Sequence, residues 1–178
     1  MRFDHCYVTN SICTPSRATI LTGTHNHVNC VLTLASKIDT MLPNVAKTFR
    51  ASGYSTAMIG KWHLGEGKAH EPSGFDHWQV VAGQGEYFDP SFITPEGTHH
   101  EIGYATDIIT DKTIDFLDKS RDKSKPFLVM CHHKAPHRTW QCHPRHRELY
   151  KEEIKVSKRS CSSPDMLILA VGTRHIPR

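Results

Sequence analysis

Apolar positions fall into short runs along the chain, and their spacing switches between helical and strand-like. In "CTPSRATILTG", Ala18, Ile20 and Leu21 supply the apolar positions. Thr14 suits a helix cap, Pro15 the first helical position and Gly23 the residue after the end. The pattern predicts a short helix over 15–22 with Cys13 just before its N-terminus. The same grammar recurs over 43–52, with Pro43 at the start, Val45, Ala46 and Phe49 on one face and Gly53 beyond. "YSTAMI" then reads as a strand over 54–59, running into "GKWHLG". Residues 66–103 are rich in Gly, Pro and His and are predicted as a long loop region with few regular elements. The clearest helical period covers 105–119, where Ala105, Ile108, Ile109, Phe116 and Leu117 share a face. "PFLVMC", over 126–131, is a continuous apolar run of the kind buried in an α/β sheet.

Helix, helix, strand, loops, helix, strand is an α/β order. In such folds sites gather beyond the carboxyl ends of strands. Both "GKWHLG" and "HHKAPH" follow strands, so both point toward one edge of the sheet. From about Val156 the texture changes: the remaining residues carry no amphipathic pattern. The division is 1–155 as one partial domain and 156–178 as an atypical tail, frameshifted or disordered.

The chain has 178 residues, 38% hydrophobic and 22% charged, which fits one globular domain with a real core. A formal charge of +4, with Lys and Arg scattered, lacks the basic stripe that nucleic-acid binding needs. No apolar run is long enough to span a membrane. The opening Met1-Arg2-Phe3-Asp4 is not followed by the apolar segment of a signal peptide. The six cysteines show no CxxC spacing, which argues against a zinc ribbon or a thioredoxin motif, while one or two disulfides stay open.

The candidate chemistry lies in three polar segments. Cys13 at a helix N-terminus sits where free N–H groups and the helix dipole favour an anion. Arg17, one helical turn on, carries a fork of donors matched to a tetrahedral oxyanion. Lys61 and His63 alternate, so an extended segment points both to the same side. His137 follows a strand. A nucleophile position, two cations and two histidines describe a site for an anionic ester, in which cations offset transition-state charge and a histidine protonates the leaving oxygen.

"CTPSRATILTG" resembles the C-x-P-S-R motif of the type I sulfatases, "GKWHLG" their second motif and "KPFLVMCHHKAPHRTW" the later segment that supplies a substrate histidine. "GQGEYFDPSFI" and the run from Gly103 to Phe127 are similar to bacterial sulfatases grouped with N-acetylglucosamine-6-sulfatases. The resemblance covers about residues 1–154. It implies an alkaline-phosphatase-like α/β/α sandwich with a mixed sheet, incomplete at both ends, and hydrolysis of sulfate monoesters on a glycan such as a 6-sulfated N-acetylglucosamine, or of an aryl sulfate. It implies that Cys13 is oxidised to formylglycine by a formylglycine-generating or anaerobic maturating enzyme that reads Pro15 and Arg17. Lys61 and His137 would bind sulfate oxygens, one of them assisting the leaving alcohol, and His63 would help the formylglycine diol collapse. A Ca2+ ion would polarise the sulfate, with Cys13, as formylglycine, the one ligand identifiable in this chain. The Asp and Asn ligands of the family fall outside it, and no Asp-Asp pair occurs. The resemblance also implies a periplasmic, secreted or lysosomal full-length protein, with any signal ahead of this chain. Two alternatives stay open: a phosphate or phosphonate ester hydrolase of the same superfamily, and a catalytically inactive truncated fragment with an exposed sheet edge, poorly stable alone.

Other residues read more plainly. His132 and His133 alternate on a strand and are assigned to structure or solvent rather than to a metal. His99 and His100 belong to an exposed loop. His25 and His27, after the first helix, are minor candidates for substrate approach. Trp140 either lines a sugar pocket or packs. Cys30, Cys131 and Cys142 are assigned to packing, and the charges over 151–159 to a solvated face.

Overall fold

The computed structural model describes residues 4–149. They fall into two compact units, Met1–Gln141 and Cys142–Arg178. Of the second, the described part holds a 3-10 turn, Pro144–His146, with the His143 ring accepting from the Arg145 amide. The division at 155/156, the tail and the charges over 151–159 lie outside the described residues.

The first unit is built on a five-stranded mixed sheet. Its elements are α1 (Cys13–Thr22), α2 (Asn26–Asn29), α3 (Val45–Ala51), β1 (Ser55–Lys61), β2 (His77–Val81), β3 (Ser91–Thr94), β4 (Gly97–His100), α4 (Ala105–Asp115) and β5 (Phe127–His132). The strand order is β4-β3-β2-β1-β5. β1 pairs in parallel with β2 and β5, and the β2–β3 and β3–β4 pairs are antiparallel.

The period-2 alternation of strands divides the core into two layers. From β1, Met58 faces one side with Trp78 and Val80 of β2, against Ala18 and Leu21 of α1 and Ala46 of α3. Ala57 and Ile59 face the other side with Val81 and Phe92, against Ile109 of α4 and Phe116. Helices therefore cover both faces of the sheet, as the α/β reading requires. α3 is held at its start by Asn44, whose side chain accepts from the Lys47 amide and donates to Ser73. α4 continues into a π-helical turn, Phe116–Ser120, which keeps Phe116 buried.

Two expectations are corrected. Residues 66–103 contain β2, β3 and β4 rather than loop alone. β2 hides in a mixed polar sequence because His77 and Gln79 share a face with Val81 and meet polar partners there. β3 and β4 form a hairpin around Pro95 and Glu96 whose outer strand is exposed throughout, so it carries no apolar signal. β5 is not a deeply buried central strand: it is an edge, and its residues are half-buried or exposed. No helix among the described residues is long and apolar enough to cross a membrane.

Candidate active site

Parallel pairing sets Gly60 of β1 opposite His132 of β5, so both strands end at one edge of the sheet. Gly60 is required there. Its φ is +96°, and a Cβ would stand 2.0 Å from the His132 carbonyl oxygen. The close approach brings the last residue of each strand, Lys61 and His132, and the residues that follow together over the N-terminus of α1.

Cys13 is the first residue of α1 rather than the residue before it, and Ile12 occupies the cap position without a side-chain hydrogen bond. Thr14 does not cap. Its buried hydroxyl lies 3.5 Å from the Leu34 carbonyl and 3.3 Å from His63 Nδ1. Tertiary partners have outcompeted the local cap. Gly23 ends the helix in the left-handed conformation, as expected. The buried Asn26 donates to the carbonyls of Pro15 and Val31, tying the first turn of α1 to the loop that follows the helix.

Arg17 is anchored. Its Nη1 donates to the Lys61 carbonyl at 2.6 Å and lies 3.2 Å from His132 Nδ1. The Lys61 side chain is 2% exposed, and its Nζ donates to Gln84 Oε1 at 2.6 Å. Beside it stands Lys134, also buried, with Nζ 3.4 Å from the Gln84 carbonyl and 5.1 Å from the centre of the Tyr87 ring. Tyr87 in turn donates its hydroxyl proton to the His137 carbonyl at 2.5 Å. The His137 Nδ1 lies 2.6 Å from the Arg138 carbonyl. A carbonyl only accepts, so Nδ1 carries a proton and donates it there, and Nε2 is not engaged by that bond.

These groups surround a cavity of about 700 Å³. Cys13, Arg17, Lys61, His132, Lys134 and His137 are on its wall, and among the lining residues there is no carboxylate. The electrostatics carry the mark of that excess of cations. Burial pushes the Lys61 ammonium down to about 8; Cys13 opposes the fall, and Arg17 and Lys134 add to it. Burial also lowers Arg17, again opposed by Cys13. His132 is held below its ordinary value by burial and by Arg17, so its ring is neutral.

Four of the five expected residues, Cys13, Arg17, Lys61 and His137, therefore meet at one cavity. His63 is displaced from it. Its backbone has a φ of 55°, so the segment is not extended and the alternation with Lys61 fails. The Trp62 indole, donating to the His70 carbonyl at 2.8 Å, is buried in the core and turns the chain there. His63 lines an adjoining cavity of about 260 Å³. It stays electrostatically coupled: burial, then Lys61, Arg17 and His137, push it down to about 4.

His132 and His133, set aside as structure or solvent, both line the larger cavity. His25 and His27 are exposed and stack on each other away from it. His99 and His100 are exposed on β4. Trp140 is 66% exposed and is not on the cavity wall. Cys30 and Cys142 are exposed, against the packing assignment, while Cys131 is half-buried on β5; these three, Cys6 and Cys13 are free thiols. Sequence reasoning passed over Lys134, Gln84 and Tyr87. Lys134 was visible inside "KAPH", but nothing in the spacing says that it is buried.

The match to known proteins decides the family. A family model described as Sulfatase matches residues 1–166. The chain belongs to the sulfatase family. An N-acetylglucosamine-6-O-sulfatase of Bacteroides thetaiotaomicron is 49% identical to this sulfatase chain over 158 residues, covering 86% of the chain and 27% of the relative. An N-acetylglucosamine-6-sulfatase of Capra hircus is 30% identical over 175 residues, covering 85% of the chain and 31% of the relative. A solved protein in complex with its substrate D-glucosamine-2-N,6-O-disulfate superposes with a TM-score of 0.76 at 51% identity, over 82% of the chain and 29% of that protein. The chain thus spans roughly three-tenths of the length of these relatives. Its α/β sandwich with a mixed sheet is the alkaline-phosphatase-like sulfatase fold.

Sulfatases as a family use formylglycine and calcium. Among the described residues no three His, Cys, Asp or Glu side chains converge as a metal site. The cavity wall is cationic where a hard cation needs carboxylate oxygens. The described residues do not by themselves fit a calcium ion.

Proposed function

We propose that this chain carries the nucleophile and anion-binding half of a sulfuric ester hydrolase acting on a sulfated amino sugar. The carrying observation is the cavity itself: Cys13 at the first turn of a helix, faced by Arg17 and Lys61, with no carboxylate on the wall. An anionic ester suits a buried cationic site with no counter-charge among the described residues. The sugar assignment is supported by the names of the relatives.

In this reading Cys13 acts as formylglycine, made by a maturating enzyme that supplies the oxidation. That group would supply a hydrated aldehyde, one hydroxyl of which would give its proton to solvent as its oxygen replaces the sugar oxygen on sulfur. Lys61 or His137 hands a proton to the departing oxygen. His137 presents Nε2 for this because Nδ1 is held by the Arg138 carbonyl. Lys61, at about 8, is charged at neutral pH and close to the range for proton transfer. His63 would take the proton of the second hydroxyl as the carbon–oxygen bond to sulfate breaks, which would release sulfate and return the aldehyde. His63 is kept uncharged by burial and its cationic neighbours, and its 3.3 Å contact with Thr14, the residue after Cys13, supports this role from the adjoining cavity. Arg17 holds the β1 end to α1 and steadies the formylglycine.

The test is sulfate release from a 6-sulfated N-acetylglucosamine by the protein containing this chain, produced with its maturating enzyme. Turnover abolished by Cys13→Ala supports the proposal. Turnover unaffected by that substitution, or turnover of the phosphate ester in place of the sulfate ester, overturns it.

A further inference from the structure

Lys134 is the least satisfied buried cation on the cavity wall. It is 7% exposed, yet its three donors meet one carbonyl at 3.4 Å and one aromatic face. Other lysines of the chain are better provided for. Lys47 donates to two carbonyls at 2.6 and 2.9 Å. Lys112, Lys119 and Lys125 each reach a carboxylate. Among the described residues no carboxylate pairs with Lys134 or with Lys61. Two buried ammonium groups of like charge stand on either side of one residue, Gln84: Lys61 on its side-chain oxygen and Lys134 on its backbone oxygen. Such an arrangement is unfavourable when empty and favourable when an anion enters between the charges.

Tyr87 adds a second observation. Its ring faces Lys134 and its hydroxyl holds the His137 carbonyl, so one buried side chain sets both groups on the same wall. We infer that Lys134 is a substrate-positioning residue, a second ammonium for the anionic group, held beside Lys61 by Gln84 and Tyr87. This rests on the sulfate-ester reading of the cavity. Lys61 takes one sulfate oxygen and Lys134 another, which fixes the rotation of the group about its ester bond. A tetrahedral anion with three terminal oxygens has acceptors for Lys61, Lys134 and His137 together.

The experiment titrates inorganic sulfate into the full chain by calorimetry at pH 7 and low ionic strength. The chains compared are the parent, Lys134→Met, Lys134→Arg, Gln84→Glu, Lys61→Met and the exposed control Lys123→Met. Lys134→Met is expected to weaken sulfate binding about tenfold or more, the scale of one lost hydrogen bond to a charged group. Lys134→Arg should recover most of the loss, and Lys123→Met should bind as the parent does. Gln84→Glu sets a carboxylate on the Lys61 ammonium, in the residue whose backbone oxygen Lys134 meets, and should weaken binding with both lysines still present; should Lys134→Met fail to fold, Lys134→Gln, which keeps a polar side chain and removes the charge, replaces it with the same expected loss. Parent-like affinity in Lys134→Met or in Gln84→Glu overturns the inference. Affinity lost in Lys61→Met but kept in Lys134→Met overturns it alone and leaves the sulfate site standing. A parent chain that does not bind sulfate overturns both.

Discussion

Replacing Gly60 by alanine tests the junction on which the site depends. Two penalties combine there. The backbone sits at φ +96°, a conformation that costs an L side chain about 1–2 kcal/mol. The new Cβ would lie 2.0 Å from the His132 carbonyl oxygen and 2.9 Å from its carbonyl carbon, both backbone atoms. It would also stand 3.2 Å from Ile109 Cγ2. Relief requires β1 and β5 to separate, an overpacking cost of about 1–3 kcal/mol. The sum is about 2–5 kcal/mol against a domain stability of about 5–15 kcal/mol. With a urea slope of about 2 kcal/mol per molar, the unfolding midpoint should fall by about 1–2.5 M. Fluorescence of the buried Trp62 and Trp78 reports it. Gly53→Ala is the control, because Gly53 shares the positive φ, at +84°, but has nothing within 4 Å of its added Cβ. It should cost only the conformational part, about 1–2 kcal/mol. Separating the strands also moves the Lys61 carbonyl away from Arg17, so sulfate affinity should fall in Gly60→Ala and hold in Gly53→Ala. Equal midpoints for the two variants would refute the clash argument.

Three further outcomes follow from the same geometry. Anion binding should be strongest below pH 8 and weaken as pH rises through about 8, where Lys61 loses its proton; calorimetric titration across pH 6–10 checks this, and Lys61→Arg should remove the step because arginine keeps its charge. Since the folded Lys61 binds its proton less tightly than the unfolded chain does, its contribution to stability should rise with pH between about 8 and 10.5. His63 should show no protonation by NMR from pH 8 to 5. The unfolded chain binds that proton first, so the His63 contribution to stability should fall as pH drops from 6.5 toward about 4, and His63→Asn should flatten that limb of the urea stability curve. Asn44→Ala removes the α3 cap and the link to Ser73, at a cost of about 1–3 kcal/mol by urea unfolding.

Where one physical signal dominated, the fold was legible in the sequence. Pro15 and Gly23 marked α1, Pro43 and Gly53 bracketed α3, and the 3.6-residue period of α4 put Ile109 and Phe116 on the sheet. β2 and β4 were lost because His77, Gln79, His99 and His100 carry polar side chains on strands stabilised by pairing rather than by an apolar face. The strand ends placed Lys61 and His137 at one edge, and helix grammar placed Cys13 and Arg17 beneath it. What failed was local geometry that depends on distant partners. Thr14 turned from the cap toward Leu34 and His63, and the turn at Trp62 rotated His63 out of line with Lys61. Lys134 and Gln84 were hidden for the same reason, since burial of a lysine is a tertiary fact.

The central claim is that Cys13 is the precursor of the nucleophile. The most direct measurement is the mass of the peptide carrying Cys13 from the chain co-expressed with a formylglycine-generating enzyme, with a hydrazide probe for the aldehyde. The account predicts loss of the thiol and an aldehyde that the probe traps. An intact thiol under those conditions would contradict it.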